Sequence, residues 1–279
     1  MKYKALALFM SVMLVLAGCG QQPAEEGTSG SDGAESAPAQ PVKLKVASLI
    51  PPMTEVLDLV KPKLQEEGIE LEVVILSDNV QPNNALANKE VDANFFQHVP
   101  YMEEYNANNG SELVPVVPIY NAVFGAYSKR YSDIEELPDG ATIAIPNDPS
   151  NIGRSLVMFE KEGLIKLKEG VGIKATQADI VENNRNFKFQ EVDLLMLART
   201  LDDVDMVAMT PAYAKPLGLT PNKDALITEG NDSAFTITLI ARKDNVDSEP
   251  IQKLAEAMTS PEVKAFFEEN YSDIALPAF

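Results

Sequence analysis

The sequence predicts an α/β fold. Short β-branched runs alternate with segments of helical apolar spacing along the body of the chain. Its 279 residues exceed what one small sheet uses, so there is room for two α/β lobes. An apolar fraction of 45% permits a packed core.

Residues 1–18 read as a secretory signal. Lys2 and Lys4 form a short positive region, Ala5 to Leu16 is an apolar run, and Ala17 and Gly18 are small. The run is shorter than the ~20 residues of a membrane span, which weighs against an uncleaved anchor. Residues 19–42 begin with Cys19 and continue rich in Gly, Ser, Ala, Pro and Glu without apolar periodicity, the composition of a flexible tether.

The folded body runs from Lys43 to Phe279. Leu44–Ala47 reads as a strand. Thr54–Glu67 reads as a helix, with Val56, Leu59, Val60 and Leu64 on one face, a kink signal at Pro62 and Gly68 as the stop. Leu71–Leu76 is a strand, Asn84–Lys89 helical, Asp92–Phe96 extended and Val99–Asn106 helical. Val114–Val117 and Gly125–Ser128 read as strands. Ala141–Pro146 is a buried strand, followed by a helix over Ile152–Lys161. Phe187–Val192 and Val204–Met209 read as strands flanking a helix over Asp193–Leu201. Phe235–Ala241 is a last strand, and Ile251–Asn270 holds one or two helices punctuated by Ser260-Pro261.

Composition excludes several functions. The formal charge of −19 does not suit nucleic acid or anionic lipid. The one cysteine cannot form an internal disulfide, and with the one histidine, His98, it cannot build a Cys/His metal cluster. No GxSxG elbow, P-loop or GxGxxG after a strand is present, and any Ser150-based hydrolase would have to use His98. No cofactor is expected.

Two stretches carry recognition chemistry. In Pro146-Asn147-Asp148-Pro149-Ser150-Asn151-Ile152-Gly153-Arg154 a strand ends and a helix starts, with Ser150 or Asn151 as its cap. Strand ends and helix starts of open α/β sheets receive ligands, and free N–H groups there suit a carboxylate or phosphate. Arg154 in the first turn opposes the helix dipole unless its fork receives an anion. That anion is either a ligand or a nearby acidic side chain. In Asp92-Ala93-Asn94-Phe95-Phe96-Gln97-His98-Val99-Pro100-Tyr101, aromatic and polar groups crowd a strand-to-helix junction. One of the two phenylalanines belongs to the core on the blander reading, with His98 structural.

Longer motifs carry a resemblance. Leu16-Ala17-Gly18-Cys19 resembles the lipobox of bacterial lipoproteins, which are cut before the cysteine and acylated on it. The stretches 80–101, 124–129, 143–172 and 213–224 resemble, in order and spacing, the methionine-binding (NlpA-type) solute-binding lipoproteins. The resemblance implies a type II-like periplasmic-binding-protein fold. Two lobes (43–120 plus 240–279, and 121–239) would be joined by a hinge around a ligand cleft. It implies a protein lipid-anchored through Cys19 outside the cytoplasm that hands a small amino acid or related carboxylate to an ABC permease with its ATPases; a monomer is the default for such a tethered receptor, and no motif with catalytic context points to an enzyme. It implies that Arg154 clamps the ligand carboxylate, that Asn151 holds the helix-start position, and that Phe96, His98 and Tyr101 line the pocket.

The chain departs from the family at three pocket positions. Asn79 stands where a tyrosine is usual, and Thr210 and Ile237 stand where asparagines hold the amino-acid backbone. Each lost amide partner costs about 1–3 kcal/mol, and 1.4 kcal/mol is tenfold in affinity. The ligand can therefore differ from free methionine while keeping a carboxylate. A surface adhesin without a solute is the remaining reading that tether and acidity fit.

Overall fold

The computed structural model describes residues 41–230 and 234–279. The signal segment, Cys19 and nearly all of the tether lie outside the described residues. The strands are β1 (Val42–Ser48), β2 (Ile69–Ile75), β3 (Ala93–His98), β4 (Leu113–Ala122), β5 (Gly125–Tyr127), β6 (Thr142–Pro146), β7 (Lys166–Leu167), β8 (Ile180–Glu182), β9 (Lys188–Val192), β10 (Met206–Met209), β11 (Ala225–Thr228), β12 (Thr236–Arg242) and β13 (Ala275–Pro277). The helices are α1 (Met53–Glu66), α2 (Gln81–Ala87), α3 (Val99–Asn109), α4 (Pro149–Lys161), α5 (Leu197–Thr200), α6 (Pro211–Ala214), α7 (Pro221–Asp224), α8 (Glu249–Met258) and α9 (Pro261–Asn270).

Two mixed sheets make two lobes. The first has the order β13-β4-β12-β3-β1-β2, with β1 parallel to β2 and β3 and the rest antiparallel. The second has the order β11-β5-β10-β6-β9, parallel through β10, β6 and β9. Each central strand is covered on both faces. Val46 belongs to the core under α1, α8 and α9, while its neighbour Ala47 faces the core of α2 and α3. Ile143 and Ile145 likewise point into one core of the second lobe and Ala144 into the other. This is why β6 reads as a nearly continuous apolar run, and why β3 is buried along its whole length even at Asn94, Gln97 and His98.

The chain crosses between the sheets twice, between Ala122 and Gly125 and again between Thr228 and Thr236. The return comes earlier than the expected residue 240, because β12 pairs with β3 and β4 from Thr236 onward. The outgoing crossing comes slightly later than 120, because β4 continues to Ala122. Pro115 and Pro118 do not stop β4: they sit on its stretch beyond β13, where only β12 is a neighbour.

Helix α1 buries Val56, Leu57, Val60 and Leu64, and Gly68 ends it with a φ of 77°. The cap of α4 is Asp148, not Ser150 or Asn151. Its carboxylate accepts from Asn151 N at 2.9 Å, with Pro149 at the first helical position. The helix expected over Asp193–Leu201 shrinks to α5. Asp193 Oδ1 accepts from Leu195 N at 2.9 Å, a local turn that competes with helix.

Candidate functional site: a cleft between the lobes

The carboxyl ends of β1 and β3 in one lobe face those of β6 and β10 in the other. From the first lobe come Leu49, Ile50 and Met53 at the β1–α1 turn, Asn79, then Phe96, Gln97, His98 and Tyr101 around the end of β3. Tyr120 and Ala122 of β4 and Ile237 of β12 complete that wall. The second lobe supplies Asn151 at the start of α4, with Leu194, Thr210, Ala212 and Tyr213. The cavity enclosed between these walls is about 50 Å³.

Asn79, Phe96, His98, Tyr101, Asn151, Thr210 and Ile237 thus come together from the sequence-predicted set. Of the two adjacent phenylalanines, Phe95 is core, edge-on to Tyr120 at 6.2 Å, and Phe96 lines the cleft. The residues that sequence reasoning missed are mostly apolar or aromatic. Tyr213 had a signal, since it follows the strand end Met209-Thr210. Leu49 and Ile50 had only their place after the first strand.

His98 ties the lobes together. It caps α3, its Nδ1 accepting from Tyr101 N at 3.2 Å. Nε2 therefore carries the proton and donates to Asn151 Oδ1 at 3.2 Å. Asn151 Nδ2 in turn donates to Asp148 Oδ2 at 3.0 Å, so the amide orientation is fixed by its partners. Burial, and secondarily the charge of Arg154, push the imidazole pKa down to about 3. The ring is neutral at physiological pH. Burial also raises the phenols of Tyr101, Tyr120 and Tyr213, the last to about 12, with a hydrogen bond from Asn79 partly opposing the shift at Tyr213. Among the described residues no Asp, Glu, Lys or Arg lines the cleft. Carboxylates stand just outside it: Asp148, Glu104 and Asp78 act on Tyr101, and Asp193 and Asp148 on Tyr213.

The depressed imidazole makes stability pH-dependent. Above pH 6.5 neither folded nor unfolded His98 is protonated, and the residue contributes no slope. As pH falls from 6.5 toward 3 the unfolded chain takes the proton first, so stability is lost. Urea midpoints at pH 7 and pH 5 are expected to show wild type losing up to about 2 kcal/mol more than His98→Gln. Equal losses would mean that His98 stays protonatable in the fold.

Arg154 does not line the cleft. It is 1% exposed, and its fork receives an anion of the protein itself. Nε donates to Glu229 Oε2 at 2.7 Å and Nη2 donates to Glu229 Oε1. Nη2 also donates to Ala122 O at 2.8 Å. The guanidinium lies between the rings of Phe124 and Phe235, 4.6 and 4.7 Å from their centroids. Phe124 belongs to the outgoing crossing, Glu229 and Phe235 to the return. Glu229 also pairs with Phe124 through both backbone and side chain. The bidentate clamp expected for a ligand carboxylate is therefore a pin through both crossings. A guanidinium this deeply buried needs a charge partner in every state of the protein, and Glu229 supplies it. Nη1 remains buried without a hydrogen-bond partner.

The NlpA lipoprotein family's sequence model matches residues 44–279. The D-methionine-binding lipoprotein MetQ of Salmonella typhimurium is 37% identical over 267 residues, 94% of this chain and 93% of that protein. A nutrient binding protein from Burkholderia cenocepacia, solved bound to methionine, is 36% identical with a TM-score of 0.81, covering 85% of this chain and all of that one. An ABC transporter periplasmic substrate-binding protein from Coxiella burnetii is 36% identical with a TM-score of 0.80, covering 84% and 100%. Family match, identity over nearly the full length and the shared two-lobed fold agree: this chain belongs to the NlpA lipoprotein family.

Proposed function

We propose that this chain is the solute-binding lipoprotein of an ABC importer, capturing methionine or a related amino acid or short peptide between its lobes. The carrying observation is the cleft itself. Its aromatic and aliphatic walls suit an apolar side chain, and a few neutral polar groups are fixed in place by His98 and Asn151. The similar methionine-binding proteins support the same reading.

Charges around the cleft suit the two ends of an amino acid. Arg154, one turn along α4 from Asn151, sets a positive charge behind the cleft wall. Arg154 is near enough to His98 to act on its ring. The carboxylates outside the cleft favour an ammonium group at the mouth. Thr210 and Ile237 occupy the cleft where the family resemblance places asparagines, which favours a shifted preference among methionine's relatives.

In this reading Cys19 carries the lipid, the folded body works as a monomer outside the cytoplasm, and a permease with its ATPases receives the solute. It has no catalytic step. No helix among the described residues is long and apolar enough to cross a membrane. Melting of the purified protein against L-methionine, D-methionine, methionine-containing dipeptides and other small carboxylates tests the function. A true ligand at about a hundred times its Kd adds about 2.7 kcal/mol, several degrees for a chain of this size. A shift by a relative but not by methionine would identify a re-specified pocket. No shift across the panel would contradict the reading.

A further inference from the structure

Outside the cleft two side chains bridge the lobes: Glu104 of α3 accepts from Ser150 N at 3.2 Å, and Lys215 reaches the far end of the first lobe. Lys215 follows α6, which belongs to the second lobe through Tyr213 and Ala214. Its Nζ donates to Asn270 O, the last residue of α9 in the first lobe, at 3.3 Å. The same ammonium lies over the ring of Tyr271, 3.6 Å from the centroid. The ring is pinned from behind, where Tyr271 OH donates to Glu55 Oε2 at 2.6 Å on the first turn of α1. Among the described residues no carboxylate lies within ion-pair distance of Lys215. Its charge is met instead by the carbonyl end of a helix dipole and an aromatic face.

We infer that Lys215 is a latch for the closed form. Its contacts on the first lobe exist only while the lobes are together. The two ends of the latch continue into the cleft walls, through Tyr213 on one side and Met53, two residues from Glu55, on the other. Its partners are a carbonyl and a ring rather than a carboxylate, so the attraction is short-ranged and is lost within a small opening. Lys215 thus sets how long a captured solute stays without contributing to which solute is captured. The inference rests on the solute-receptor reading only for that last consequence.

Spin labels at Ile75→Cys in the first lobe and Val181→Cys in the second, both exposed, report the interlobe distance in the full chain carrying Cys19→Ser. Lys215→Met keeps the stem and removes the charge. It is expected to lower the closed-to-open ratio about three- to tenfold and to speed L-methionine dissociation by a similar factor, with relative affinities across a solute panel unchanged. Lys215→Arg is expected to restore both. Identical distance distributions in wild type and Lys215→Met would overturn the latch. So would a fall in melting temperature that Lys215→Arg fails to restore, since that marks a merely structural contact. If wild type binds no methionine-class solute, the receptor reading fails, while the distance comparison still decides the latch.

Discussion

Glu229→Ala is expected to cost about 3–5 kcal/mol of folding stability, the usual result of leaving one member of a buried ion pair alone. The partner is Arg154, 1% exposed, whose remaining hydrogen bond goes to Ala122 O. Its guanidinium is held between Phe124 and Phe235, 4.6 and 4.7 Å from their centroids. For a domain of this size the loss corresponds to roughly 6–20 °C in Tm. The double variant Arg154→Met with Glu229→Leu is expected to recover much of it, because an apolar pair of similar volume leaves no buried charge. Thermal unfolding of the two single variants and the double variant checks this. Additive losses in the double variant would show that the pair is not coupled. Because the pair joins both crossings between the sheets, Glu229→Ala is also expected to loosen the hinge, which interlobe distance measurements would register.

Gly153→Ala is expected to destabilise by about 1–3 kcal/mol, although alanine is the better helix former by about 1 kcal/mol. The reason is local. A Cβ at position 153 would lie 1.9 Å from the carbonyl oxygen of Ile173 and 2.6 Å from its carbonyl carbon. Those are backbone atoms of the turn over Gly172–Lys174, so no side-chain rotation relieves the contact. Helix α4 must back away, and it carries both Asn151 and Arg154. Urea unfolding gives the stability loss, and weaker solute binding should accompany it. A neutral or stabilising Gly153→Ala would show that the turn moves freely.

Much of this architecture was legible in the chain. The α/β alternation, the extended stretch at β3, the buried run of β6 and the helix after Asp148 all follow from local patterns of apolar spacing and turn residues. Most of the aromatic and polar candidates also meet in one cleft, since strand ends in α/β sheets converge there by topology. Three features were not legible, each for a physical reason. Asp148 took the cap from Ser150 and Asn151 because its carboxylate serves three donors at once, namely Asn151 N, Asn151 Nδ2 and Ser150 Oγ. The helix over Asp193–Leu201 lost to an aspartate turn whose advantage depends on where β9 ends. The partner of Arg154 lies 75 residues away in sequence, and no local pattern announces such a pair. The position of Arg154 was therefore readable as an anion site, but the anion's identity was not.

A small solute is proposed to be held between the two lobes. This is tested most directly by titrating L-methionine, or whichever panel member stabilises the wild type, into wild type and Ala212→Trp under calorimetry. Ala212 lines the cleft from the second lobe, and an indole there fills the space between Tyr213 and the opposing wall. Wild type is expected to bind saturably and one-to-one, and Ala212→Trp to show no measurable binding while still folding cooperatively. Equal affinity in the two proteins would place the solute outside the cleft between the lobes.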